Sequence, residues 1–178
     1  IGIMITITRL SDKLAFGVRI LGVDEAALED PAVRARLVQA FDEHGLIVFA
    51  DVEPCNRLQV ALSRVFGELK DHPVQAVDLV DPDFMPGAIK ITSDPSYADI
   101  VEIDGKPYSS WLPWHFDHCY NNELNRAGVL RVVEGTPNGG QTCFMDGIAL
   151  YARFPRELLV RIEGCSIIYS LDMQPDHI

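Results

Sequence analysis

No apolar run in this 178-residue sequence approaches the length of about 20 residues that a membrane-spanning helix needs. A membrane is therefore not an expected partner. Residues Ile1 to Ile7 lack the basic start and small-residue cleavage site of a secretory leader, and Met4 reads as a natural start, so the expected location is cytoplasmic. Basic residues are in short supply: 15 Lys and Arg face 26 Asp and Glu, a formal net charge of −11. Such a field repels phosphate backbones and excludes nucleic acid as the expected partner, although a local Arg, His or metal charge can still draw a small anion into a cleft. The C-x-x-C spacing of zinc and redox motifs is missing too. Cys55, Cys119, Cys143 and Cys165 stand apart, which favours free thiols over a disulfide framework. Neither an internal repeat nor a low-complexity tract is visible.

What is present is 48% hydrophobic residues, enough to build a real core, in a length that favours one domain spanning residues 1–178. Ile3 to Thr8 alternates β-branched and polar positions and predicts a first strand; Phe16 to Asp24 predicts a second. From Glu25 to His44 the period becomes helical, with Val33, Leu37, Ala40 and Phe41 on one face, Pro31 near the start and Gly45 past the end. Leu46 to Ala50 predicts a short buried strand, and Asn56 to Phe66 a second helix capped by Asn56 and stopped by Gly67. The stretch from Asp71 to Tyr108 is rich in proline, with short strands predicted at Ala88–Thr92 and Ile100–Ile103 around a turn. Further strands are predicted at Ala127–Val133, at Thr142–Met145 after the turn Gly135–Gly140, and at Cys165–Ser170. Between them, Asp146–Phe154 and Pro155–Ile162 predict one or two short helices, with Pro155 as the restart.

The segment Ser110-Trp111-Leu112-Pro113-Trp114-His115-Phe116-Asp117-His118-Cys119-Tyr120 carries the chemistry. Its aromatics and proline disfavour a helix and predict an extended chain. In a strand, residues two apart share a face, so His115 and Asp117 would point one way with Phe116 on the other. An imidazole nitrogen and a carboxylate oxygen converging on one point are two of the three donors of the facial triad that holds non-haem Fe(II). The H-x-D pattern alone equally fits a His and Asp hydrogen-bonded at a strand end.

Four segments in order resemble the taurine dioxygenase/TfdA-type family of Fe(II)- and 2-oxoglutarate-dependent oxygenases. They are Phe16 to Asp24, Phe66-Gly67-Glu68-Leu69 with His72-Pro73, Trp114-His115-Phe116-Asp117, and Pro137-Asn138-Gly139-Gly140-Gln141-Thr142 with Phe144 and Asp146. The resemblance implies a mixed β fold with flanking helices, a double-stranded β-helix of the jelly-roll or cupin-like kind. It implies that His115 and Asp117 bind iron, that Thr142 hydrogen-bonds the 2-oxoglutarate carboxylate, and that His72 touches the acidic group of a small-molecule substrate. The activity it implies is hydroxylation of a small, acidic organic molecule by O2, with 2-oxoglutarate converted to succinate and CO2. Trp111 and Trp114 either wall the pocket or simply pack.

The sequence also departs from that family, whose members place a distal His and a 2-oxoglutarate-binding Arg further along. His177 is the only His after His118 and no Arg follows it, while His118 is out of phase with the face of Asp117. The expectation is therefore a jelly roll incomplete at its C-terminus, either part of a longer oxygenase or a remnant acting as a binding or structural module. A homo-oligomer is allowed, because a cut jelly roll would borrow a partner's strand. A zinc hydrolase using the same His and Asp lacks an evident third ligand and general base.

Overall fold

A computed structural model describes residues 4–73, 79–92, 100–109 and 114–169. The described residues fall into two compact units: one holds those up to Gly67 and again Val129 to Tyr169, the other those from Glu68 to Gly128.

In the first unit, β1 (Thr6–Arg9) pairs antiparallel with β2 (Val18–Leu21), which pairs in parallel with β3 (Ile47–Phe49), so β2 is the central strand. Parallel neighbours need a crossover, and α1 (Pro31–His44) supplies it. Its ends are set locally. The Asp30 side chain accepts from the Ala32 amide at 2.8 Å, Pro31 occupies the first turn, and Gly45 closes the helix at φ 68° with its amide on the Phe41 carbonyl at 2.7 Å. The span predicted as helix from Glu25 begins instead with a separate 3-10 turn, Ala27–Glu29, whose first amide is held by Asp24 Oδ1 at 2.7 Å. α2 (Asn56–Phe66) has the predicted bounds but a different cap: Cys55 Sγ accepts from the Leu58 amide at 3.4 Å. Asn56 is engaged elsewhere, its Oδ1 accepting from Arg131 Nη2 at 2.8 Å. The core lies between this sheet and the two helices, centred on Val18, Ile20 and Leu37, with Val33, Leu58 and Leu62 around them. Burying each such side chain stabilises the fold by roughly 1.5–3 kcal/mol.

The later part of this unit departs from expectation. Ala127–Val133, Thr142–Met145 and Cys165–Tyr169 form no strand, and Ser170 lies outside the described residues. A strand exists only where a second segment completes its ladder, and alternation of residue types cannot supply that partner. The chain at residues 129–131 is fastened by side chains instead: Gln59 Nε2 donates to the Val129 carbonyl at 3.3 Å, beside the Arg131–Asn56 bond. The region predicted as one or two helices holds two, α3 (Gly147–Tyr151), capped by Asp146 Oδ1, and α4 (Arg156–Ile162).

In the second unit, β4 (Ile100–Ile103) pairs antiparallel with β5 (Lys106–Ser109) across Asp104-Gly105, whose φ angles of 51° and 71° suit the tight two-residue hairpin turn. The predicted strand Ala88–Thr92 is not its partner; Ile89 makes a single bridge to Leu79. Among the described residues the fold is thus a three-stranded and a two-stranded sheet with helices. No helix among them is long and apolar enough to cross a membrane.

Candidate metal centre

The residues from Trp114 to Tyr120 form no strand, contrary to the extended reading of this segment. The chain instead reverses after Asp117 in a turn reaching Tyr120, with His118 at φ 59° and the Asn121 amide donating to the His118 carbonyl at 3.0 Å. His115 and Asp117 nevertheless face each other: His115 Nε2 stands 3.2 Å from Asp117 Oδ1. The convergence arises at the entry to a turn and not from the pleat of a strand. Both groups are substantially open to solvent, so ligand can reach them.

Two donors each about 2.1 Å from one ion and at right angles stand about 3 Å apart. The 3.2 Å separation in this structure fits that arrangement, and the pairing of nitrogen with carboxylate oxygen matches a non-haem iron donor set. The second carboxylate oxygen, Oδ2, hangs over Gly128, where an added Cβ would stand 3.9 Å from it. Among the described residues no group of three or more His, Cys, Asp and Glu side chains is placed to hold a metal. His115 and Asp117 thus bring two donors, and no third, to this point among the described residues.

His72 lies in the same unit, its ring 5.3 Å from that of His118 and edge-on to it. Tyr120 meets the His118 ring at 6.1 Å, and Asn125 Nδ2 lies 2.7 Å from His118 Nδ1. Sequence reasoning set His118 aside because it cannot share the Asp117 face, and gave Asn125 no role. The available signal was the residue type, since His and Asn are among the few side chains that enter left-handed backbone and steady it with local hydrogen bonds. Nearby, Lys70 Nζ sits 2.9 Å from Glu123 Oε1, and its hydrogen bond and positive charge hold the Glu123 carboxyl below the usual carboxylate range.

Thr142 belongs to the other unit, exposed and outside any strand. The glycine pair before it does adopt positive φ, 72° at Gly139 and 67° at Gly140. The Thr136 hydroxyl closes that turn by donating to the Gly139 carbonyl at 2.7 Å, and a Cβ on Gly140 would meet the same hydroxyl at 2.7 Å. Trp114 is exposed, while Trp111 and His177 lie outside the described residues.

Comparison with known proteins decides the family. The model of the taurine catabolism dioxygenase TauD, TfdA family matches residues 6–176. The chain belongs to that family. This TauD/TfdA-family chain is 28% identical over 171 residues to pentalenolactone F synthase of Streptomyces avermitilis, covering 93% of the chain and 53% of the relative. It is 29% identical over 174 residues to the alpha-ketoglutarate-dependent 2,4-dichlorophenoxyacetate dioxygenase of Cupriavidus pinatubonensis, covering 87% and 54%. It is 25% identical over 138 residues to the (S)-phenoxypropionate/alpha-ketoglutarate-dioxygenase of Delftia acidovorans, covering 76% and 44%. The chain spans about half the length of the curated relatives it matches. No solved structure matches it.

Proposed function

We propose that this protein is an Fe(II)- and 2-oxoglutarate-dependent dioxygenase that hydroxylates a small, acidic organic substrate and releases succinate and CO2. The observation that carries the reading is the 3.2 Å approach of His115 Nε2 to Asp117 Oδ1 within a family match over residues 6–176. His115 and Asp117 hold the iron, the Thr142 hydroxyl donates a hydrogen bond to the 2-oxoglutarate carboxylate, and His72 meets the acidic group of the substrate. Iron bound there supplies O2 activation coupled to oxidative decarboxylation of the keto acid. The chain's own share is placement: a nitrogen and an oxygen donor held side by side, with further positions left for the keto acid and O2. The aryloxyalkanoates in the names of two relatives set the first substrate class to try. The complete fold in this reading is a double-stranded β-helix in a single oxygenase domain, and the location is cytoplasmic.

The test is succinate formation with Fe(II) titrated in, across 2,4-dichlorophenoxyacetate, phenoxypropionate and taurine. His115→Ala and Asp117→Ala abolish turnover without unfolding the protein. Thr142→Ala raises the 2-oxoglutarate requirement by the equivalent of about 1.5–3 kcal/mol, one hydrogen bond to a charged group. Turnover that persists in Asp117→Ala, or that runs equally well with zinc, removes the reading. Metal binding without turnover on any acid would point instead to a binding module.

A further inference from the structure

We propose that His118 and Asn125 form a lock that positions the Asp117 carboxylate, an inference that rests on reading His115 and Asp117 as metal ligands. His118 occupies left-handed backbone, φ 59°, which residues bearing a Cβ rarely adopt. Such a conformation persists where its surroundings hold it, and here they do so from several sides. The Asn121 amide donates to the His118 carbonyl at 3.0 Å, and Asn125 Nδ2 lies 2.7 Å from His118 Nδ1. The rings of His72 and Tyr120 flank the imidazole at 5.3 and 6.1 Å.

The consequence falls on the preceding residue. Reversal at His118 brings the chain back so that Gly128 passes under the carboxylate, close enough that a Cβ there would lie 3.9 Å from Oδ2. The Asp117 carboxylate, open to solvent, thereby has Oδ1 3.2 Å from His115 Nε2 and Oδ2 on the side of Gly128. Were His118 extended, the chain would continue away from Asp117 and that return would be lost. The ring itself is not a third ligand: Nδ1 is taken by Asn125, and no cluster of three donors exists among the described residues. His118 acts through the backbone of Asp117 and is a positioning residue, with Asn125 as its latch.

The experiment measures Co(II) binding to the full chain by visible absorption, without 2-oxoglutarate, alongside thermal midpoints and amide exchange of residues 118–128 in metal-free protein. Asp117→Ala is the control for the site itself and loses the Co(II) spectrum. Asn125→Ala weakens Co(II) binding by about tenfold, the lower end of the effect of removing an outer support from a metal ligand, with an unchanged midpoint and faster exchange at the Asn121 amide. His118→Gly still permits the left-handed backbone but, without the ring and its Asn125 contact, no longer holds the chain in it, and gives the same loss; combining the two adds nothing further. Asn125→Asp, whose carboxylate accepts from Nδ1–H, restores binding. If Asn125→Ala and His118→Gly bind Co(II) like wild type while Asp117→Ala does not, the lock is wrong and the site stands. If Asp117→Ala also binds like wild type, the site reading is overturned and the lock with it.

Discussion

Residues 5–66 and residues 129–169 carry similar apolar side chains and meet opposite fates. In the first region Ile20 and Leu37 are 0% exposed; in the second Val133 is 80% and Ile168 93% exposed. The first region closes on itself over short distances along the chain: β2, α1 and β3 follow one another, and the helix lies across the sheet it connects. The second satisfies much of its backbone within α3 and α4, helices of 5 and 7 residues, and neither contains a buried residue. Internal hydrogen bonding and burial are therefore separable. A short helix completes its own bonds, but its apolar side chains leave water only when another layer faces them. The His115–Asp117 pair follows the rule of the first region, because turns within residues 115–128 are enough to build it.

The largest effect expected from this contrast is in the core. Leu37→Ala destabilises the protein by about 2–5 kcal/mol in urea unfolding, the usual range for a buried Leu. Val133→Ala and Ile168→Ala stay within about 0.5 kcal/mol, as surface changes do. A cost at Ile168 equal to that at Leu37 would break the comparison and show the second region to be packed. Next is Asp30→Ala, which removes the side-chain cap of α1 and costs about 1 kcal/mol in the same assay, while Asn56→Ala leaves the α2 cap on Cys55 intact and loses only the Arg131 bond. Chains of residues 1–178 associate with increasing concentration in sedimentation, through exposed apolar side chains, and Ile167→Lys with Ile168→Lys reduces this.

The smallest effect is electrostatic. The Glu123 carboxyl is held below its ordinary range by the Lys70 hydrogen bond and charge, so its pairing stabilises the fold above the unfolded value and is lost as pH falls through the lowered folded one. The group is fully exposed, and the effect fades in high salt. Comparing Lys70→Gln with wild type by thermal midpoint at neutral and acid pH, in low and high salt, shows whether the pair contributes.

The end of α1 at Gly45, the bounds of α2, and the side-by-side approach of His115 and Asp117 could be read from the sequence because each depends on residues a few positions apart: a glycine, an apolar run at helical spacing, an i, i+2 spacing; the start of α1 at Pro31 rather than Glu25 was not read. The hairpin at Asp104-Gly105 was missed, although that dipeptide favours the tight turn: Ile100–Ile103 was set beside Ala88–Thr92 instead of Lys106–Ser109. Only the tertiary structure decided that Cys55 rather than Asn56 caps α2, because the competing claim on Asn56 comes from Arg131, 75 residues away. It likewise decided that the alternating residues at 127–133 and 165–169 form no strand, and that Asn125 meets the His118 ring. Caps and turns are energies of neighbours along the chain. Strand pairing and side-chain latches are energies of whichever separated segments meet in space, and a residue's own pattern does not contain its partner's position.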